Sequence, residues 1–248
     1  MRSTLGLLVI ATFLAPAAPV WAQAEVLQVV PDDAIGFVLI NRVGQSNDKL
    51  TSIAKRLKID LPGNPLEMVK AALGVKTGLA ENGGIAVAAF AGKGDNDEPR
   101  GLVFVPVTDY QKFIEQLQPG ETKEGISAIM LKDGKAIVAG KKGNFAVLTR
   151  AEDRELLARA LKANKHLASW AEPLADWLSQ NDAAGVFTGH GIQLVTAKAR
   201  TGLNEARQFL PALPPEAQFV GKFFDAIDDC LKSIGTDVTH AGLAARVD

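Results

Sequence analysis

His190 is the residue whose surroundings most suggest chemistry, because it stands in the segment Thr188-Gly189-His190-Gly191, directly after a predicted strand. Loops that follow strands often carry active-site groups. The flanking glycines would let a substrate approach the imidazole ring closely. They would equally permit a tight turn from strand to helix, with the ring left in solvent. Both interpretations of His190 stay open at the level of sequence.

A hydrolase that used His190 would need an acid or a nucleophile beside it. The candidate partners are Asp225, Asp228 and Asp229, which share one predicted helix. Paired carboxylates do acid–base work when burial shifts their pKa values. These three alternate with an apolar helix face, which favours exposure to solvent instead. The chain has no Gly-x-Ser-x-Gly elbow, so a serine nucleophile has no support.

Metal and cofactor motifs are weak. Asp95 and Asp97 lie in a polar loop at 92–100 and could bind Ca²⁺ in an exported protein. Pro99 occupies a position where a calcium loop needs a further ligand, so a solvated loop is the competing interpretation. The three histidines are too far apart in sequence to form a zinc-binding pair on one helix. No phosphate-binding or dinucleotide-binding glycine motif occurs, and we expect no cofactor.

The first 22 residues have the features of a secretory signal peptide. Met1-Arg2 supplies a positive start, an apolar run follows from Leu5 to Leu14, and Val20-Trp21-Ala22 fits the small-x-small rule for cleavage. The apolar run is shorter than the ~20 residues that span a membrane. We therefore expect export to the periplasm or the cell exterior, with cleavage before Gln23.

Composition limits the function classes. The formal net charge is −1 and 47% of the residues are hydrophobic. Near-neutral charge argues against nucleic acid as a partner. No later apolar run reaches membrane-spanning length, so we expect a soluble mature chain with no transmembrane segment.

Cys230 is the only cysteine, so no disulfide can form within the chain. Cys230 shares helical spacing with Phe223, Ile227 and Ile234, which predicts a small residue on a buried helix face. A reactive or dimer-forming thiol is the alternative.

Hydrophobic periodicity predicts both strands and helices. The predicted strands cover residues 34–43, 85–91, 101–107, 126–131, 135–140, 144–149 and 238–247, the first of them buried. Predicted helices cover 66–73, 192–210 and 215–234, and a short helix follows Pro173. Ser46, Thr108 and Thr149 are the predicted N-caps of three further helices, the last two within capping boxes.

Two stretches of the chain resemble each other, and we call this internal similarity the sequence echo. Residues 181–187 resemble residues 32–38, and each stretch leads into a strand–helix–helix–strand order. This suggests an internal duplication, with a first unit at 23–165, a connector at 166–180 and a second, incomplete unit at 181–248. Chance similarity between two generic units is the rival explanation. The mixture of elements predicts an α+β fold in which helices cover a largely antiparallel sheet.

The segment Pro31-Asp32-Asp33-Ala34-Ile35-Gly36-Phe37 resembles the start of a group of exported bacterial proteins without an established activity. Those chains begin, after a signal peptide, with a turn of the Pro-Asp-x-Ala type, a hydrophobic strand and a pair of helices. The resemblance covers roughly the first unit. It implies export and this order of elements, and it assigns no site residues.

Two function classes follow. The first is an exported, non-catalytic binding or structural module, which would contact a protein, a polymer or a small ligand through a sheet face or edge. The alternative is a cell-envelope hydrolase that uses His190 with a carboxylate partner. The sequence does not specify the ligand or the oligomeric state.

The signal peptide gives the first testable prediction. When the full chain is expressed in a bacterium, the exported protein should begin at Gln23, because signal peptidase cleaves after small residues such as Ala22. Intact mass and N-terminal sequencing of the periplasmic fraction check this. An Ala22→Arg substitution should leave the precursor uncut, and an exported protein that kept Met1 would contradict the prediction.

Overall fold

A computed structural model describes residues 25–59, 63–92, 98–131, 134–167, 171–208 and 219–246. In these residues the strands form one nine-stranded antiparallel sheet, in the order β4-β5-β6-β7-β3-β2-β1-β8-β9. The predicted signal peptide at 1–22 and the candidate calcium ligands Asp95 and Asp97 lie outside the described residues. The combination of this sheet with helices confirms the predicted α+β class.

The strands are β1 (Gly36–Ile40), β2 (Ile85–Phe90), β3 (Arg100–Pro106), β4 (Thr122–Lys123), β5 (Ile126–Met130), β6 (Ala136–Lys142), β7 (Phe145–Arg150), β8 (Ala183–Thr188) and β9 (His240–Ala245). The helices are α1 (Val43–Arg56), α2 (Pro65–Leu73), α3 (Tyr110–Gln116), α4 (Arg154–Lys162), α5 (Ala175–Gln180), α6 (Gly189–Arg207) and α7 (Phe219–Asp237). Strand β4 is the one that the sequence pattern missed, because two residues are too few to show a period of two.

One face of the sheet, the inner face, carries the main core. Phe37 and Leu39 of β1, Ala88 of β2 and Val186 of β8 all point to this face and are buried. They belong to one cluster with apolar residues of the N-terminal 3₁₀ turn, of α4 and of the segment before β8. The members from those three covering segments are Val26, Leu27, Leu156, Leu157, Ala160, Leu167, Ala171 and Leu178.

The opposite face, the outer face, is covered over only part of the sheet. Helix α3 packs Phe113, Ile114 and Leu117 against strands β3, β7, β6 and β5. Residues such as Val105 and Ala146 are therefore buried on this face as well. On the half of the sheet that contains β2, β1, β8 and β9, the described helices leave several outer-face side chains exposed, as described below.

The predicted second unit joins the same sheet. Strand β8 pairs with β1 in antiparallel register, and β9 pairs with the far side of β8. The end of β1 is also tied to the segment before β8, since Asn41 Nδ2 donates to the carbonyls of Leu178 (2.6 Å) and Asn181 (2.8 Å). Lys49 Nζ lies 2.9 Å from the buried carboxylate of Asp182. The strand junction is therefore fixed by polar contacts as well as by the sheet ladder.

Two of the predicted N-caps are displaced. Helix α1 begins at Val43, ahead of Ser46, and the Ser46 hydroxyl donates to the Asn41 carbonyl at 2.7 Å. Helix α3 is capped by Asp109 instead of Thr108, and the Asp109 carboxylate accepts from the Lys112 amide at 3.1 Å. Ser46 lies within the first turn of α1, and Thr108 lies just before Asp109, so the pattern located each helix but identified the wrong cap.

The third predicted N-cap is wrong for a different reason. Thr149 belongs to β7, and its hydroxyl donates to the carbonyl of Gly101 on β3 at 2.7 Å. A 3₁₀ turn, Ala151–Asp153, separates it from α4. The side chain thus stabilises a strand pair, a long-range contact that a four-residue motif does not reveal.

The prediction that Cys230 is buried is also wrong. Cys230 is exposed, and so are Phe223 and Ile234 on the same stripe of α7. Helix α7 contacts α6 through a different stripe, on which Asp228 pairs with Arg200 and Gly235 lies against Thr196. Among the described residues no helix is long and apolar enough to cross a bilayer.

His166 is held against the N-terminal segment by a β-bridge to Pro31. Burial lowers the pKa of its imidazole, and the positive charge of Lys142 lowers it further, while Asp32 acts in the opposite direction. Lys142 itself is turned inward, with its ammonium donating to the Ala163 carbonyl at 3.0 Å. The fold therefore favours neutral His166.

This environment makes stability depend on pH. The unfolded chain binds a proton at His166 more readily than the folded chain does, so the free energy of unfolding should fall as the pH drops through the ordinary value of 6.5. His166→Asn should flatten that slope between about pH 7.5 and 5.5. Urea titrations across this range check it. Equal slopes in both proteins would contradict the assignment.

Candidate functional site

His190 lies in the first turn of α6, and its side chain is exposed. The turn is built by Thr188, whose hydroxyl accepts from the Gly191 amide at 3.2 Å and donates to the Ile35 carbonyl at 2.9 Å. Strand β8 therefore passes directly into helix α6. This matches the tight strand-to-helix turn that was one of the two interpretations of the segment.

The glycines beside His190 are required by close backbone packing. A β-carbon at Gly191 would lie 2.0 Å from the carbonyl oxygen of Ile35, a distance at which atoms overlap. A β-carbon at Gly189 would lie 3.1 Å from the carbonyl oxygen of Thr239. Both glycines thus bring the start of α6 against neighbouring backbone, and their presence needs no substrate to explain it.

The candidate acidic partners of His190 are engaged along the α6–α7 pair. Asp228 Oδ1 lies 2.7 Å from Arg200 Nε, and Asp225 Oδ1 lies 2.9 Å from Arg207 Nη2. Arg200 is ten residues beyond His190 in the same helix, which is about 15 Å along the helix axis. The described contacts therefore place these two carboxylates with arginines, away from the histidine.

The electrostatics of that pair do not suit a general acid. The Arg200 guanidinium, hydrogen-bonded to Asp228, lowers the pKa of this carboxyl, so the carboxylate stays charged near neutral pH. Asp229 is exposed on the neighbouring position of α7. No group of three or more His, Cys, Asp or Glu side chains in the described part of the chain could hold a metal ion.

The feature that sequence patterns did not locate is an apolar surface on the outer face, which we call the open face. It consists of Val38, Ile40, Val87 and Leu243, whose exposed fractions are 44%, 42%, 47% and 79%. Strand register places Val87 opposite Val38, Val38 opposite Gly185, and Gly185 opposite Leu243. Directly opposed residues share a face, so these side chains lie in one row across the sheet, with Gly185 of β8 between Val38 and Leu243.

Two cavities flank the open face. One, of about 400 Å³, lies beside α3. Its apolar lining includes Val103, Val105, Phe113, Leu117, Leu131, Ile137 and Leu148. The other, of about 600 Å³, lies between α6 and the sheet. Its lining includes Ile35, Ala89, Phe187, Leu194 and Val195. Pro99 lines both cavities, so they adjoin across the end of β3.

The cationic side chains at the cavity walls have carboxylate partners, and the second cavity is also lined by the carboxylate of Glu205. Arg150, at the first cavity, lies 2.9 Å from Glu152 and 3.0 Å from Asp153. Lys198, at the second, lies 4.0 Å from Glu98. A free anion would have to compete with these carboxylates. The surroundings therefore favour an apolar, uncharged occupant.

The sequence signal for the open face was ambiguous. Strand β1 is apolar at every position, which is typical of a strand buried on both faces and gave the prediction of a buried strand. The structure instead buries Phe37 and Leu39 and leaves Val38 and Ile40 exposed. Comparisons with models of protein families, with curated proteins and with solved structures found no match to this chain.

The packing of Gly191 can be tested directly. Gly191→Ala should lower the free energy of unfolding by about 1–3 kcal/mol, because the added methyl group overlaps the Ile35 carbonyl. Gly202→Ala in the same helix is the matched control. It meets open space and should raise stability by up to about 1 kcal/mol, since alanine favours helix. Urea denaturation measures both, and equal effects would contradict the packing argument.

Proposed function

We propose that this chain is an exported, non-catalytic binding module and that the open face receives an apolar ligand. The observation that carries the proposal is the exposed row formed by Val87, Val38 and Leu243 on one face of the sheet, with Gly185 between the last two. Single exposed apolar residues are ordinary on protein surfaces, but a contiguous patch is typical of a binding site.

The contrast between the two faces supports this proposal. On the inner face of the same strands, Phe37, Leu39 and Ala88 are almost fully buried. Apolar side chains on the outer face gain no such burial from the described residues, and each exposed Å² of apolar surface leaves about 25 cal/mol unrealised. An apolar ligand on Val38 and Val87 would recover part of that free energy.

The flanking cavities give the ligand its expected size and chemistry. Volumes of about 400 and 600 Å³ lie within the usual range of small-molecule sites. Their linings are mainly aliphatic and aromatic, and the nearby Arg150 and Lys198 are paired. These properties favour an uncharged, largely hydrocarbon ligand. The hydrolase alternative has no comparable support, because Asp225 and Asp228 are engaged by arginines.

Binding of Nile red, an uncharged apolar fluorophore, tests the open face. The chain should bind the dye saturably, and Val87→Lys should weaken binding by at least about tenfold, because a bound apolar ligand would bury an unpaired ammonium. Leu57→Lys is the matched control, since Leu57 is an exposed leucine at the end of α1. It should leave the affinity unchanged.

Thermal denaturation of each variant separates lost binding from lost fold. Val87 already lies in contact with solvent, so Val87→Lys should retain a cooperative transition. A folded Val87→Lys protein that binds Nile red with the original affinity would contradict the assignment of the ligand to the open face.

A further inference from the structure

The two edges of the sheet differ in a way that points to a second interaction site. The edge strand β4 has only two residues, and its Lys123 lies 3.1 Å from Glu121. The other edge strand, β9, has six residues, His-Ala-Gly-Leu-Ala-Ala, with every residue exposed. Natural edge strands are usually kept short, charged or interrupted by proline. Strand β9 has none of these features, and no other strand of the described residues pairs with its outer edge.

Both faces of β9 are suited to an apolar neighbour. Leu243 projects from the outer face and is 79% exposed. On the inner face, Gly242 lies under Trp177, since a β-carbon there would be 3.1 Å from Cη2 of the indole ring. Trp177 is only partly buried, although it packs on the main core. A strand added beside β9 would cover the indole edge on one face and Leu243 on the other.

The register of β1 and β8 indicates which kind of strand fits. The sequence echo aligns 32–38 with 181–187, so Phe37 corresponds to Val186, and these two residues are direct partners. Gly36 lies opposite Phe187, while Gly185 lies opposite Val38. In the alignment Gly36 corresponds to Gly185 and Val38 corresponds to Phe187, so the two glycine pairs are equivalent to each other. The strand order β2-β1-β8-β9 is therefore symmetric about the Phe37–Val186 pair.

This symmetry relates β9 to β2. Gly36 pairs with Ala89 of β2, and Gly185 pairs with Leu243 of β9, so Leu243 corresponds to Ala89. The far edge of β2 is occupied by β3 in antiparallel register, with Leu102 opposite Ala88. The corresponding edge of β9 pairs with no strand in the described part of the chain. The strand that completes it should therefore resemble β3, which is extended and has only apolar residues after Arg100.

We propose that the edge of β9 binds an extended segment of a different protein by antiparallel strand addition. The segment has the chemistry of β3, with a bulky apolar residue opposite Gly242, corresponding to Leu102, and a small residue opposite Leu243, corresponding to Gly101. Main-chain hydrogen bonds supply affinity and alternate side chains supply specificity. The edge shares Leu243 with the open face, but it binds through the backbone of β9, two strands beyond Val38, so this inference goes beyond the ligand site proposed above.

A peptide with the sequence of residues 100–107, carrying fluorescein at its N-terminus, is the probe. Its fluorescence anisotropy should rise saturably when the full-length exported protein is added. The same peptide with aspartate in place of Leu102 should bind at least about tenfold more weakly, because the carboxylate would face the Trp177 indole. Hydrogen exchange should slow at the backbone amides of 240–245 when the unsubstituted peptide binds.

Leu243→Lys on the protein should weaken peptide binding by about tenfold or more, since a charge on an edge strand opposes addition of an apolar strand. Met130→Lys is the matched control, because Met130 is a 64% exposed residue at the end of β5, near the opposite edge. It should leave peptide binding unchanged. Val87→Lys should also leave it unchanged, which separates this site from the Nile red site.

Three results of the peptide experiments would overturn the proposal: absence of saturable binding by the 100–107 peptide, equal binding by folded Leu243→Lys protein, or protection of amides elsewhere than 240–245. Light scattering tests a second copy as the occupant. A dimer that Leu243→Lys converts to a monomer would assign the edge to self-association and would likewise overturn the proposal. Circular dichroism establishes that each variant is folded.

Discussion

Strand β1 is hydrogen-bonded along both of its edges, to β2 and to β8, and the arrangement of the whole chain depends on that double pairing. It requires residues 36–40 to fit closely against two partners. Gly36 makes the fit possible, because a β-carbon there would lie 2.6 Å from Cδ1 of Phe187. Just after the end of β1, the Asn41 side chain donates hydrogen bonds to two backbone carbonyls before β8, which further fixes the two strands together. Segments 137 and 140 residues apart in sequence are thus joined.

The same pairing explains why one face is packed and the other is open. The segments that cover the inner face arrive from the N-terminal turn, from α4 and from the residues just before β8. On the outer face, α3 follows β3 and covers the β3–β7–β6–β5 half of the sheet. Helix α6 leaves β8 from a point fixed by the contact between Gly191 and Ile35, and a cavity of about 600 Å³ remains between it and the sheet. An apolar site arises where the helical cover stops.

Local patterns in the sequence predicted most of the strands and helices, because side-chain periodicity is itself a local property. The strands at 126–131 and 144–149 correspond closely to β5 and β7. Strand order, register and the exposure of each face depend on distant partners, and these were not predictable. Thr149 shows the limit clearly, since its capping-box pattern is real but its hydroxyl bonds Gly101 instead. The prediction that Cys230 is buried is wrong for the same reason, because helix periodicity identifies an apolar stripe but not the residues that cover it.

His190 and the open face illustrate how context changes the meaning of a residue. His190 is a candidate site residue in the sequence because glycines flank it, and glycines beside a polar side chain suggest room for a substrate. Once Gly191 is explained by its contact with Ile35, the remaining property of His190 is an exposed ring in the first turn of a helix. The sequence does not mark Val38 as a candidate, because valine is common in strands. Its position in a row with Val87 and Leu243 is what supports the proposed binding site, since apolar surface that the fold does not bury is available for binding.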